Sequence, residues 1–106
     1  MCGIAGILGQ VEESSVRDMM KTLYHRGPDK MQLQQTGAFC GGVCASEISR
    51  DRGDGFAQQG EIAVLFDGEV YNERNGNKSD AQIALELYRE YGRTFASHLK
   101  GVFACA

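Results

Sequence analysis

Among residues able to do covalent chemistry, Cys2 stands first, within the run Met1-Cys2-Gly3-Ile4-Ala5-Gly6. Removal of Met1 would leave a thiol and a free α-amine on one residue. A thiolate is a strong nucleophile, and a neighbouring amine can serve as its base. With Met1 retained, that amine is acylated and the pair is lost. The same position also reads as an inert cysteine at the start of a buried strand. Cys40 and Cys44 have loose metal-ligand spacing, but no second Cys/His pair lies at a suitable interval, so no metal is expected. If their segment is a strand, both thiols share one face and read as core residues.

The elements that must position these groups follow from pattern. Cys2 to Leu8 is apolar and glycine-broken, a buried strand. Ser14 or Ser15 is placed to cap a helix through about Tyr24, with Val16, Met19, Met20 and Leu23 on its inner side. Gly27-Pro28 cannot continue a helix, so His25 to Asp29 ends it. Met31 to Thr36 and Phe39 to Ala45 read as a hairpin turning at Gly37. Arg50 to Gly60 reads as a polar loop, and Ile62 to Phe66 as a buried strand. Asp67-Gly68 reads as a turn, with Val70-Tyr71 a short extended piece. Ser79-x-x-Gln82 is a capping box opening a second helix, whose stripe is Ile83, Ala84, Leu87, Tyr88 and Tyr91 and whose stop is Gly92. Thr94 to Lys100 reads as a short third helix, and Val102 to Ala104 begins a strand.

The chain has 106 residues, 42% apolar and 24% charged, with a net charge of −3. These values predict one small domain, residues 1–106, with a modest core. They give no reason to expect nucleic acid or an anionic membrane as partner. No stretch is long enough to span a bilayer, and no signal peptide is visible, so a cytoplasmic protein with reduced thiols is expected.

Four runs carry a resemblance. Cys2 to Gly6, His25-Arg26-Gly27-Pro28-Asp29, Phe66-Asp67-Gly68-Glu69-Val70-Tyr71-Asn72 and Ser79-Asp80 occur in one order. The set resembles the glutaminase domain of class II glutamine amidotransferases, and is closest to the N-terminal half of asparagine synthetases that use glutamine. Leu99 to Ala104 resembles a further stretch of that domain. The resemblance implies an α+β fold of the N-terminal-nucleophile-hydrolase type, mainly antiparallel, in an α/β/β/α sandwich. Family members continue for about as long again, so the sandwich is expected to be truncated here, with two to three helices. An open sheet edge is a template for pairing, which predicts a homo-oligomer or a synthetase-type partner subunit.

The resemblance also assigns roles. Cys2 matches the nucleophile that attacks the side-chain amide of glutamine. Gly68 matches the backbone oxyanion donor. Glu69 and Asp80 match the acids near the substrate amine, although a solvated turn acid and a helix first-turn acid remain alternatives for them. Arg26 reads as structural, and no cofactor is implied. Two matched positions depart from the family pattern. Asp67 stands where the family has an oxyanion-binding Asn, and an ionised Asp has no donor. In the run Ala45-Ser46-Glu47-Ile48-Ser49, Glu47 falls on the Arg that holds the substrate carboxylate. A milder change is Gln32 at a usual Gly.

Three readings are therefore open: a glutaminase, an amidase for a cationic amide met by Glu47, Glu69 and Asp80, and a non-catalytic module that binds, regulates or self-assembles. The reading carried forward is a glutaminase-like domain impaired at Asp67 and Glu47, with the non-catalytic module as its alternative.

Overall fold

The computed structural model describes residues 2–46 and 55–106. The chain divides into two compact units, Met1–Arg50 and Asp51–Ala106.

The first unit contains strand β1 (Cys2–Leu8), helix α1 (Glu13–Thr22), a 3-10 turn (Tyr24–Arg26), and strands β2 (Lys30–Thr36) and β3 (Phe39–Ala45). The strands form an antiparallel sheet in the order β1-β3-β2. Its register runs from the row Cys2, Ala45, Lys30 to the row Leu8, Phe39, Thr36. The predicted hairpin is present, and Gly37 turns it with φ 55°, a left-handed conformation that glycine adopts without steric cost. Val16 and Met20 of α1 are fully buried on Cys40 and Cys44. A Cβ at Gly42 would come within 2.8 Å of the Met20 side chain. Small residues along β3 thus let the helix sit close to the sheet.

Two expectations for α1 need correction. It starts at Glu13 after Glu12, with no side-chain cap, so Ser14 and Ser15 lie in its first turn. The backbone bonds Ser15 N–H to Glu12 O (3.1 Å) and Val16 N–H to Glu12 O (3.4 Å), with the Arg17–Glu13 ion pair, hold that turn instead. Met19 is 39% exposed, because a 3.6-residue period aligns Val16, Met20 and Leu23 and leaves Met19 on the flank.

The second unit contains β4 (Phe56–Gln59), β5 (Ile62–Val70), helix α2 (Asp80–Tyr91), a 3-10 segment (Gly92–His98) and β6 (Gly101–Cys105). Its sheet has the order β4-β5-β6, again antiparallel. Ala57, Val64, Phe66 and Val70 of the sheet meet Ala81, Ile83, Ala84 and Leu85 of α2 in one core, with Phe103 and Cys105 alongside. Phe66 and Phe103 stack with ring centroids 5.7 Å apart.

The capping box is complete: Gln82 N–H donates to Ser79 Oγ (3.2 Å), and Ser79 N–H donates to Gln82 Oε1 (2.8 Å). Gly92 closes α2 at φ 61°. The buried stripe is rotated from the expected one. Ala81, Ile83, Ala84 and Leu85 are inside, whereas Tyr88 and Tyr91 are exposed at 36% and 40%. Tyr88 instead meets Phe95 edge-on and Tyr91 stacks on His98. The third helix is of the 3-10 type and starts at Gly92, ahead of the expected Thr94.

Two segments read as loop or turn are strand. Phe56–Gln59 pairs with β5; Arg50 to Asp54 lie outside the described residues. Asp67-Gly68 lies inside β5, because β6 returns from distant sequence to pair with residues 66–70. The ladder ends in a reciprocal pair between Leu65 and Ala106 at 2.9 and 3.0 Å. The α+β class is as expected, with two antiparallel sheets, each carrying one α-helix. No helix among the described residues is long and apolar enough to cross a membrane.

Candidate functional site

Cys2 is the first residue of β1, half-buried and outside any disulfide. Its backbone is held by the His25–Asp29 box. The 3-10 turn is closed by Arg26 N–H to Leu23 O (2.9 Å) and Gly27 N–H to Tyr24 O (3.2 Å). This turn aims the Arg26 guanidinium back at β1, where Nε donates to Cys2 O at 2.7 Å. Gly27 is buried, and a Cβ there would lie 2.5 Å from Ala45 N. Pro28 then bridges to Ala45 in a parallel sense, and Ala45 is the register partner of Cys2. The box is thus a clamp on the start of β1, and the structural reading of Arg26 fits this geometry.

The other thiols of this unit serve the core. Cys44 Sγ approaches Leu23 O at 3.3 Å and Gly3 O at 3.6 Å. Cys40 is fully buried. Burial pushes its thiol pKa up, Glu13 adds to that, and Arg17 opposes it.

In the second unit, Asp67, Gly68 and Glu69 are consecutive on β5. Alternation places Phe66, Gly68 and Val70 on the α2 side and Asp67 and Glu69 on the other. Gly68 has φ 135°, and a Cβ there would lie 2.1 Å from Val102 O. Only glycine fits this crossing of β5 and β6. Glu69 is exposed, and the Tyr71 hydroxyl reaches its Oε2 at 3.5 Å. Asn72 joins both ends of the β6 connection: its Nδ2 donates to His98 O (2.8 Å), and Lys100 N–H donates to its Oδ1 (2.7 Å).

Asp80 opens α2 and is 4% exposed. Arg74 Nη2 donates to its Oδ1, while Arg74 Nη1 donates to Lys78 O at 2.9 Å. Arg74 is a residue that sequence reasoning passed over. A cation six residues ahead of a capped helix carries no local signal of this pairing. Glu47, with Arg50 and Arg52, lies outside the described residues.

The structure thus places Asp67, Gly68, Glu69 and Asp80 in one unit and Cys2 in the other. Among the described residues no group of three His, Cys, Asp or Glu is gathered to hold a metal. An apolar cavity of about 420 Å³ in the second unit is lined by residues that include Ile62, Val64, Tyr88, Phe95 and Cys105, and Asp67, Gly68, Glu69 and Asp80 are not among its lining.

Comparison with known proteins gives one consistent result. A family model described as "Glutamine amidotransferase domain" matches residues 1–106. The chain is 32% identical to the glutamine-hydrolyzing asparagine synthetase of Brassica oleracea over 122 aligned positions, covering 98% of this chain and 21% of that protein. It is 31% identical to glutamine-hydrolyzing asparagine synthetase 1 of Arabidopsis thaliana and 30% identical to that of Lotus japonicus, with the same coverage. The chain therefore spans about a fifth of the length of these relatives. The alignments are longer than the chain, so it also lacks internal positions that they have. No solved structure matches it significantly. With the ordered boxes seated on these elements and the family model spanning every residue, the chain belongs to the glutamine amidotransferase domain family.

Proposed function

We propose that this chain is a class II, N-terminal-nucleophile domain whose glutaminase chemistry is retained in outline and impaired in rate. With Met1 removed, the Cys2 thiolate attacks the side-chain amide carbon of glutamine, and its α-amine carries the proton to the leaving ammonia. Gly68 N–H donates to the oxyanion. Asp67 sits beside it where a neutral amide donor is needed. As a carboxylate it supplies no hydrogen and repels the developing charge. Glu69 and Asp80 face the substrate amine in this reading, and Glu47 opposes its carboxylate.

The observation that carries the proposal is the clamp on Cys2. Arg26, Gly27 and Pro28 hold the start of β1, so the nucleophile stands at a fixed strand end. Holding a reacting group in place is a large part of catalysis.

The test is ammonia release from L-glutamine by protein whose intact mass shows Met1 removed. Slow release that vanishes in Cys2→Ala supports the proposal. Release unchanged in Cys2→Ala sinks it. The alternative reading is a non-catalytic module, favoured by the charge changes at Asp67 and Glu47. It predicts no release, with binding or assembly as the readout. Both readings place the chain in the cytoplasm, as a homo-oligomer or beside a synthetase-type subunit. Edge strands β1, β2, β4 and β6 are the candidate pairing surfaces. Sedimentation across a concentration series reads the self-association directly.

A further inference from the structure

Asp80 lies in the first turn of α2 and is 4% exposed. The chain between Asn72 and Ser79, turned at Gly76 with φ 84°, brings Arg74 back onto the start of that helix. Asn72 fixes one end of this loop through His98 O and Lys100 N–H, and the Ser79–Gln82 box fixes the other. Between these anchors the Arg74 guanidinium is held at two points. Nη2 donates to Asp80 Oδ1, and Nη1 donates to Lys78 O at 2.9 Å. A planar guanidinium seated on two acceptors has a fixed place and direction. The Arg74 side chain is only 29% exposed, so it lies over the acid as a cover.

Charge decides what this pair can do. A carboxylate in the first turn of a helix already meets the positive end of the helix dipole. With a guanidinium added, Asp80 presents no net negative charge to an incoming cation. A substrate ammonium at this acid must displace Arg74 or bind without the charge of Asp80. Of the two acids set against the substrate amine in the proposed reading, Asp80 is therefore taken. We infer that Arg74 is a specificity-determining residue that stands in the place of the substrate's α-ammonium. The chain then takes carboxylic-acid amides that lack an α-amino group as readily as it takes glutamine. This inference rests on the proposed glutaminase reading for its substrate, and the occupancy of Asp80 is measurable without turnover.

The experiment compares L-glutamine with glutaramate, which keeps the amide and the carboxylate and lacks the α-amino group. Ammonia release from each is measured on one sample of the full chain with Met1 removed. The ratio of the two kcat/KM values is then independent of the folded fraction. In wild type the ratio should be close to one. Arg74→Met should raise it about tenfold in favour of L-glutamine, through KM, the weight of one charge-assisted hydrogen bond. Arg74→Gln can still donate to Lys78 O, so it serves if the Met variant fails to fold, and it should move the ratio in the same direction. Arg74→Lys keeps the charge and should hold the wild-type ratio. Adding Asp80→Asn to Arg74→Met should return the ratio to the wild-type value, which a merely structural role of Arg74 would not do. The second readout is titration calorimetry of both compounds with wild type and with Arg74→Gln, in which L-glutamine should gain on glutaramate. A wild-type ratio already strongly in favour of L-glutamine overturns the inference. So does a preference that ignores Arg74→Met and Arg74→Gln, or a failure of both compounds to bind Arg74→Gln. If the calorimetric preference shifts as expected and no ammonia is released, the glutaminase proposal fails while the occupancy of Asp80 by Arg74 stands. If ammonia is released and the preference does not shift, the inference fails and the proposal stands.

Discussion

The two units differ in what they have kept. In the first, three contacts hold the start of β1 at Cys2: Arg26 on Cys2 O, Gly27 against Ala45, Pro28 bridging to Ala45. In the second, the scaffold is equally intact, with Gly68 at the strand crossing, Asn72 spanning the β6 connection and a complete capping box. Asp67, the residue altered on the proposed reading, lies on the face away from α2. Family motifs mix residues that shape the backbone with residues that meet the substrate. On the proposed reading, the first kind persists in this chain and the second kind has changed at Asp67 and Glu47. A motif match therefore predicts fold far better than rate.

The sharpest way to break that contrast is to attack the scaffold. Gly68→Ala drives a Cβ into Val102 O at a positive φ, so it should cost about 3 kcal/mol or more. Urea unfolding reads this as a large drop in midpoint or as insoluble protein. A stability equal to wild type would show that β5 and β6 do not cross closely there. Next is Arg74→Met. It strips the partner from a carboxylate that is 95% buried, although Arg74 itself is partly exposed. A fully buried pair broken in this way costs 3–5 kcal/mol, so roughly 2 kcal/mol is expected here. The double change Arg74→Met with Asp80→Asn should recover part of that loss.

Smaller again is Ser79→Ala. It removes one half of the capping box at α2 and should cost about 1 kcal/mol. The matching test at α1 is Ser14→Ala, which should change almost nothing, because Glu12 begins that helix without a side-chain cap. Equal losses at the two sites would contradict the observed caps.

The weakest effect is on pH dependence. Burial raises the thiol pKa of both Cys40 and Cys105 above the ordinary 9.0. The folded state therefore favours the protonated thiols. This contribution is whole below about pH 9, where the unfolded thiols are also protonated, and is lost as pH rises through the folded values. Thermal unfolding from pH 8 to 10.5 should show that decline, and Cys40→Ala with Cys105→Ala should flatten it.

Much of the fold was legible in the chain. The hairpin at Gly37 and the Ser79–Gln82 cap each depend on a few neighbouring residues with a strong local preference, whereas α1 stops at Thr22, ahead of the box expected to end it. The misses were non-local. Asp67-Gly68 has the composition of a turn, and only the return of β6 makes it strand. Phe56–Gln59 looked like loop because its partner is β5, and four residues of mixed polarity give no period to read. Tyr88 and Tyr91 looked like core because aromatic residues at helical spacing usually are. Here the 3-10 segment supplies Phe95 and His98 as surface partners. The nucleophile and the carboxylates were legible as residue types. The Arg74–Asp80 pair was not, since it depends on how a loop lies beside the start of α2.

The most direct test of the central claim is glutaminase activity of Asp67→Asn beside wild type and the double variant with Cys2→Ala, all with Met1 removed. If the scaffold is intact and the chemistry impaired at this residue, Asp67→Asn raises ammonia release by about 10²-fold, the usual weight of one oxyanion donor. Adding Cys2→Ala then abolishes it. An Asp67→Asn protein that folds, exposes a free Cys2 amine and releases ammonia no faster than wild type would contradict the account.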